Sequence, residues 1–202
     1  MAKVKIEGNA SGTGTFTIAA PNSNTDRTLT LPDEAGTVLT SASNTNFPAG
    51  SVLQVVSTAK TDTASYTGSV LSGGAVLMSA SITPTSSSNK VLVLVDAKIS
   101  IVDWSAYIWL ARGATKIYMG DSAGSRPRVN SMMEYGTLYD ATQASMIYLD
   151  SPSTTSSTTY NVYGATSGGA KTIYLNRSVG DRNETEYDGR LASSITLMEI
   201  AA

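Results

Sequence analysis

The chain has 202 residues and a formal net charge of −2, and it contains neither cysteine nor histidine. The two absences exclude disulfides and thiolate chemistry, and they remove the commonest side chain for general-base catalysis and metal binding. A chain without a basic surplus is poorly suited to nucleic acid, and no apolar run approaches the roughly 20 residues that span a bilayer. We therefore expect no cofactor, no nucleic-acid partner and no membrane insertion.

The composition also predicts the fold class. Apolar residues make up 41% of the chain, which is enough for a core, whereas charged residues make up only 15%. Serine and threonine take much of the remaining share, which favours strands and turns. The first residues, "MAKVKIEGNASG", lack the apolar stretch of a secretory signal, so we expect synthesis in a cytoplasm without export by that route.

Residues 1–48 form a segment of their own. Apolar residues alternate with threonine in "TFTIA", "RTLTL" and "TVLTS", which predicts three strands with one thin apolar face each. Such strands bury too little surface within one chain, whereas copies from several chains could share an axial core. A flexible leader is the alternative, and we favour an oligomeric stalk. Its apolar residues are Phe16, Ile18, Leu29, Leu31 and Val38.

From residue 49 to the end, short strand patterns and turn clusters alternate, and no segment has a helical period. "AYIWLA" and "TKIYM" flank a short loop with Gly113 and predict a hairpin. The run Val91–Val95 is too apolar for a strand with one exposed face, so we expect both of its faces to be covered. Roughly ten short strands predict an all-β head domain over residues 49–202, a β-sandwich of the jelly-roll kind.

In their order along the chain, the strand and turn segments of the head resemble those of a family of phage fibre-type proteins. This family is common in tailed phages and cyanophages. The resemblance covers most of the chain, and its most specific parts are the central "GDSAGSR" and the closing "SSITLMEIA". The upstream piece "NTDRTLTLPDEAGTVLTS" looks like a segment that precedes such heads in phage fibre proteins.

The resemblance implies a non-enzymatic virion component, usually a homotrimer, that displays a β head at the end of a stalk. Its partners would be other phage proteins of the capsid or tail and a glycan or protein of the host surface. The apolar residues of the stalk would attach it to the virion. Long tail fibres carry a large anchor and an extended shaft, and we expect neither here. A capsid fibre or decoration protein that contacts other virion proteins is therefore the alternative.

Two places carry side chains suited to a receptor or to another subunit. The loop "GDSAGSRPRV" contains Asp121, Arg126 and Arg128, and paired guanidinium groups suit a carboxylate or an acidic sugar. The alternative is a surface loop with ordinary ion pairs. Trp104 directly precedes a strand, where we expect an exposed aromatic ring able to stack on a sugar.

The densest charge lies in "NRSVGDRNETEYDGR", which includes Arg182. Glu184, Glu186 and Asp188 alternate, so in an extended segment they would lie on one side, where they could hold calcium or cleave a glycoside. No calcium-loop pattern is present, and the arginines offset the charge. We therefore favour a salt-bridging or contact loop and predict that the protein has no metal or catalytic site.

Overall fold

The computed structural model describes residues 11–15, 17–19, 22–26, 28, 30, 33, 35, 47–69, 73–101, 103–134, 136–169 and 171–202. Two units divide the chain, Met1–Val38 and Leu39–Ala202. Phe16, Leu29, Leu31 and Val38, predicted for the stalk, lie outside the described residues. The predicted first strand does not form at the described residues 17–19, where Ile18 is 78% exposed. The shared stalk stays a prediction.

The described part of the second unit is all-β, as predicted. Among the described residues, no helix is long and apolar enough to cross a membrane. The strands are β1 (Val52–Lys60), β2 (Ala64–Gly68), β3 (Ala75–Ile82), β4 (Lys90–Ser100), β5 (Ala106–Arg112), β6 (Thr115–Ile117), β7 (Ser131–Met133), β8 (Thr142–Asp150), β9 (Thr158–Thr166), β10 (Lys171–Leu175) and β11 (Ser193–Ile200).

Two antiparallel sheets form a sandwich. In the first sheet, β4 pairs with β8 along one edge and with β11 along the other, and β1 pairs with β11. The last residues of β4 pair with β10, which in turn pairs with β2. In the second sheet the order is β3, β9, β5, and both β6 and β7 pair with the outer edge of β5. This alternation of strands between sheets is a jelly roll, which confirms the predicted fold class.

The hairpin around Gly113 is also confirmed. β5 and β6 are joined by a two-residue turn, and Gly113 has a φ of +59°, a conformation that glycine adopts without the steric cost of a Cβ. The sequence patterns missed β2. This strand, "ASYTG", offers Tyr66 as its one large apolar side chain, so its alternation is too weak to recognise.

The core fills the space between the sheets, and β4 shows how the pattern of the sequence produces it. Val91, Val93 and Val95 point inward and are buried, whereas Leu92 and Leu94 point outward and are only half-buried. The prediction that both faces of β4 are covered therefore holds only for its inner face. This outcome refers to the described residues of a single chain.

A buried carboxylate fixes one end of the sandwich. The side chain of Glu199 accepts hydrogen bonds from the Thr85 amide at 2.7 Å, the Thr85 hydroxyl at 2.8 Å, and the side-chain amides of Asn89 and Gln54 at 2.6 Å each. Burial alone would raise the pKa of Glu199, but these hydrogen bonds outweigh it and lower that pKa. The carboxylate thereby ties β1 and the turn between β3 and β4 to β11.

The chain enters the sandwich at that same end. The Gly50 amide donates to the Ala201 carbonyl at 2.9 Å, and the Ala201 amide donates to the Ser51 carbonyl at 2.9 Å. We call this the entry end. The opposite end, where β4 finishes and β11 begins, is called the far end. The eight residues of β11 separate the two ends by about 25 Å.

Candidate functional site

Several connections meet at the far end, among them the described residues of 101–105, 134–141, 167–170 and 176–192. Backbone hydrogen bonds hold them together: the Ser167 amide donates to the Ser105 carbonyl at 3.0 Å, and the Gly180 amide donates to the Leu138 carbonyl at 2.8 Å. The Asn176 amide donates to the carbonyl of Lys98 in β4 at 3.0 Å. The longest connection is thereby fixed to the sandwich at its base.

Charged side chains of that longest connection form a network. Arg182 contacts Asp188 at 2.9 Å and Glu184 at 3.4 Å. Asp181 is bridged by two arginines, with Arg177 at 3.2 Å and Arg190 at 2.7 Å. The loop therefore presents alternating acidic and basic groups that are already oriented by each other.

Asp188 is the best-held member of the network. Its carboxylate accepts hydrogen bonds from the Ser178 hydroxyl and from Arg182, and its side chain is only 4% exposed. The Ser178 hydrogen bond is the main cause that lowers the pKa of Asp188, and Arg182 adds to it. Asp188 therefore stays ionised at neutral pH and acts as an anchor for Arg182 rather than as a proton donor.

The predicted arrangement of the three carboxylates is wrong. Residues 185–187 form a turn, so the segment is not extended and its alternate side chains do not share one side. Glu184 and Asp188 both contact Arg182, whereas Glu186 is exposed and forms no ion pair with a described residue. Within the described part of the chain, no cluster of acidic side chains is placed to hold a metal ion.

Exposed aromatic rings lie against this network. The rings of Tyr139 and Tyr187 are 5.3 Å apart between centroids, and the guanidinium of Arg182 lies 4.5 Å from the Tyr139 ring centroid. Tyr139 is 42% exposed and Tyr187 55%. Beside them, an open cleft of about 370 Å³ is lined by residues 181–184 and 188–190. Aromatic faces next to fixed polar groups are a combination that binds sugars or polar protein surfaces.

Trp104 lies at the same end of the molecule and is 55% exposed. Its backbone has a φ of +67°, an uncommon conformation for a large residue, and its ring covers the backbone of Gly168, where a Cβ would collide with it. Lys171 and Asp103 form a loose ion pair beside it at 3.7 Å. The position of Trp104 thus depends on a glycine in a neighbouring connection.

The other predicted loop lies elsewhere. Residues 118–130 leave and rejoin the outer edge of the second sheet, and Val129 packs over Trp109 on the outer face of that sheet. Arg128 donates to the Gly120 carbonyl at 2.6 Å. Asp121 and Arg126 are exposed and form no ion pair with any described residue. The loop therefore covers its own sheet, and no described hydrogen bond joins it to the far-end network.

The aromatic pair had no recognisable signal in the sequence. Tyr139 and Tyr187 belong to connections that are distant along the chain and meet only because the jelly-roll topology brings both to the far end. The Asn, Asp and Gly residues around Glu184–Asp188 did carry a usable signal, since they are turn formers and argue against an extended segment.

No protein-family model matches the chain, and a search of curated proteins also finds no match. Among solved structures, the chain is similar to the crystal structure of the infectious bursal disease virus VP2 subviral particle, with 12% identity and a TM-score of 0.31. The match covers 73% of this chain and 41% of that protein. The assignment of a jelly roll rests on the order of the strands in the two sheets and not on this likeness.

Proposed function

We propose that the protein is a non-enzymatic phage virion structural protein, a short trimeric fibre or spike whose far end contacts the host surface. The observation that carries the proposal is the placement of the far-end surface. Exposed rings and fixed charges are gathered at the end of the sandwich opposite the point where the chain enters. The phage setting draws on the resemblance of the segment before the head and of the closing "SSITLMEIA" to phage fibre proteins.

The chemistry of the far end suits a glycan or a polar protein surface. The faces of Tyr187 and Trp104 offer apolar area for stacking on sugar rings. Arg182 and Glu184 offer a donor and an acceptor for hydroxyl groups beside those rings. Because the charges are mutually compensated, this surface favours neutral polar ligands over strongly charged ones.

The test is electron microscopy of the intact phage particle with an antibody against residues 49–202. Label at the tail or its tip is the expected result and makes host adsorption the function. Label spread over the capsid would overturn host attachment and favour the alternative, a capsid fibre or decoration protein. Particles without label would reject a virion role altogether.

The capsid alternative has one observation in its favour. The outer face of the first sheet exposes apolar residues, including Ile147 at 61%, and such a flank could dock on another virion protein. An enzymatic role is tested separately by incubating the protein with host polysaccharide. New reducing ends would contradict a purely structural function.

A further inference from the structure

The outer face of the first sheet carries an apolar row that crosses four strands. The strand registers place Val55, Met198, Leu92 and Leu149 side by side on β1, β11, β4 and β8. All four side chains point away from the core. Val55 is 55% exposed and Leu149 is 45% exposed, and the two residues between them are half-buried.

The next row continues the apolar surface on one side. Leu94 of β4 lies beside Ile147 of β8, and together with Met198 they line a shallow depression of about 320 Å³. Towards the far end the outward residues become polar, with Asp96 next to Ser145. The apolar patch is therefore confined to the half of the face that adjoins the entry end. We call this half the flank patch and define it by Val55, Leu92, Leu94, Ile147, Leu149 and Met198.

The flank patch is contiguous, whereas exposed apolar residues on an ordinary surface are scattered singly. Its six residues, at about 4.8 Å between strands and about 6.7 Å between rows, cover roughly 200 Å². Contiguity and position, and not size alone, therefore indicate an interaction site. A standard interface buries about 800 Å² on each partner, so the patch could form the apolar centre of one.

The second sheet provides an internal comparison. Its outer face also carries large apolar residues, and the loop 118–130 helps to cover its centre, where Trp109 is only 1% exposed. Val76 and Met132, nearer the edges of this face, stay 40% and 58% exposed. Lys116 lies 4.0 Å from the Trp109 ring centroid and adds to this cover. Among the described residues, nothing comparable covers Leu92 or Leu94. The chain therefore covers the centre of one outer face by itself and leaves the central strands of the other, β4 and β11, for a partner.

We infer that the flank patch is the subunit interface of a homo-oligomer, and that second and third copies of this chain cover it. The inference rests on the proposed function, since a trimeric fibre requires such an interface. Residues 47–51 enter beside Ala201, at the apolar end of the face. Copies that meet through the flank patch therefore bring their entry points towards one axis, as a shared stalk requires.

The sequence of β4 and the chemistry of the flank patch are consistent with a second copy of this chain as the partner. Five consecutive apolar residues, Val91–Val95, are typical of a strand that is covered on both faces. The six defining residues carry no charge, so copies of the same chain can meet here without placing like charges opposite one another. A partner recognised through charge would find no complementary group within the patch.

The first test compares two lysine substitutions in the full-length protein. Ile147→Lys places a charge in the patch, and Met132→Lys is the matched control because Met132 is 58% exposed on the outer face of the second sheet. Sedimentation velocity over a range of concentrations gives the mass. We expect a trimer for the wild type and the control, and at least about 100-fold weaker association for Ile147→Lys, since an unpaired charge would be buried.

The inference is overturned if Ile147→Lys keeps the mass of the wild type or if both variants dissociate equally. It is also overturned if the wild type is monomeric at its highest soluble concentration. Circular dichroism identifies a variant that fails to fold. In that case the second test decides, because it leaves the patch apolar.

The second test uses the absence of native cysteine. Ile147→Cys and Met132→Cys are each labelled with a bulky maleimide in native buffer and again in denaturant. We expect native labelling at position 147 to be at least about tenfold slower than at position 132, with equal rates after denaturation. Equal native rates would overturn the inference.

These readouts use purified protein, so they are independent of the immunolabelling experiment. An oligomer with freely labelled position 147 would reject this interface and leave a trimeric fibre intact. The purified protein could instead be a monomer, and Ile147→Lys could prevent its incorporation into particles. That result would show that another virion protein covers the patch, and it would also reject the inference. Absence of label from the particle would reject the proposed function while leaving the interface measurable.

Discussion

Replacing Glu199 by glutamine is the most informative perturbation of the head. The substitution keeps the shape of the side chain but turns one acceptor oxygen into an NH₂ donor. One oxygen of Glu199 faces the Thr85 amide, the Thr85 hydroxyl and Asn89, and the other faces Gln54. Turned towards Thr85 and Asn89, the new amide places a donor against donors in a site from which water is excluded. Turned towards Gln54, it does the same unless Gln54 rotates and gives up its 2.7 Å hydrogen bond to the Thr83 carbonyl.

The magnitude follows from those contacts. A hydrogen bond to a charged group contributes about 1.5–3 kcal/mol, and a buried donor left without an acceptor costs about 1–3 kcal/mol. Glu199→Gln weakens these hydrogen bonds and leaves at least one donor or acceptor unsatisfied. We therefore expect the free energy of unfolding to fall by about 3–5 kcal/mol at pH 7. Glu184→Gln is the control, because Glu184 is 47% exposed at 3.4 Å from Arg182 and should change stability by less than about 1 kcal/mol.

The lowered pKa of Glu199 also predicts how the stability difference between wild type and Glu199→Gln changes with pH. The pKa of Glu199 lies below its ordinary value of 4.5 in the folded protein. Between these two values the unfolded chain binds more protons, so stability falls as the pH falls. The contribution of the carboxylate is complete above about 4.5 and disappears through the folded pKa. The gap between wild type and Glu199→Gln should therefore be largest at neutral pH and narrow in acid.

The assay is urea unfolding at fixed protein concentration, followed by circular dichroism between pH 3 and pH 7. The concentration is fixed because dissociation of subunits would otherwise contribute to the apparent stability. A Glu199→Gln variant as stable as the wild type at pH 7 would refute the role of Glu199 as a stabilising buried carboxylate. A gap that stays constant down to pH 3 would refute the electrostatic part of that role.

Two further predictions concern the core and the far end. Gly74→Ala should cost about 2–4 kcal/mol in urea unfolding, because a Cβ there would collide with the Trp109 ring, whereas Gly73→Ala meets open space and costs about 1 kcal/mol through its φ of +87°. Equal losses would contradict the packing argument. Tyr187→Ala should weaken competition of the purified protein with phage adsorption by about tenfold at unchanged melting temperature, while Met132→Ala should not. Unchanged competition by Tyr187→Ala would contradict the proposed contact surface.

The architecture of the head could be predicted because strand periodicity is a local property. Alternating residues such as those of β11 identify the strand and its inner face directly from the sequence. The same alternation would have revealed Glu199, which occupies an inward position in register with Ile195 and Leu197. A charged residue on the inward side of a closing strand is a signal for a buried polar network, and it was available in the sequence.

The far-end surface could not be predicted in the same way. Its parts come from connections whose conformations depend on turns and on contacts between distant segments. Asp181 has a φ of +49° and forms ion pairs with two arginines, and no local sequence pattern predicts this combination. The assumption of an extended segment at Glu184–Asp188 failed for the same reason, since charge spacing was given more weight than turn residues.

The stabilising Glu199 network and the proposed contact surface lie at different ends of the head, and this division has a consequence for how the protein can change. The entry end holds the buried Glu199 network, and the flank patch adjoins it, so substitutions there would affect folding and the proposed association together. The far-end side chains Tyr187 and Glu184 are exposed and lie on connections outside the core. Substituting them should cost little stability, because exposed positions rarely contribute more than about 0.5 kcal/mol. If the two proposals hold, a head built in this way can acquire a new contact specificity at one end while its fold and its proposed subunit interface stay unchanged at the other.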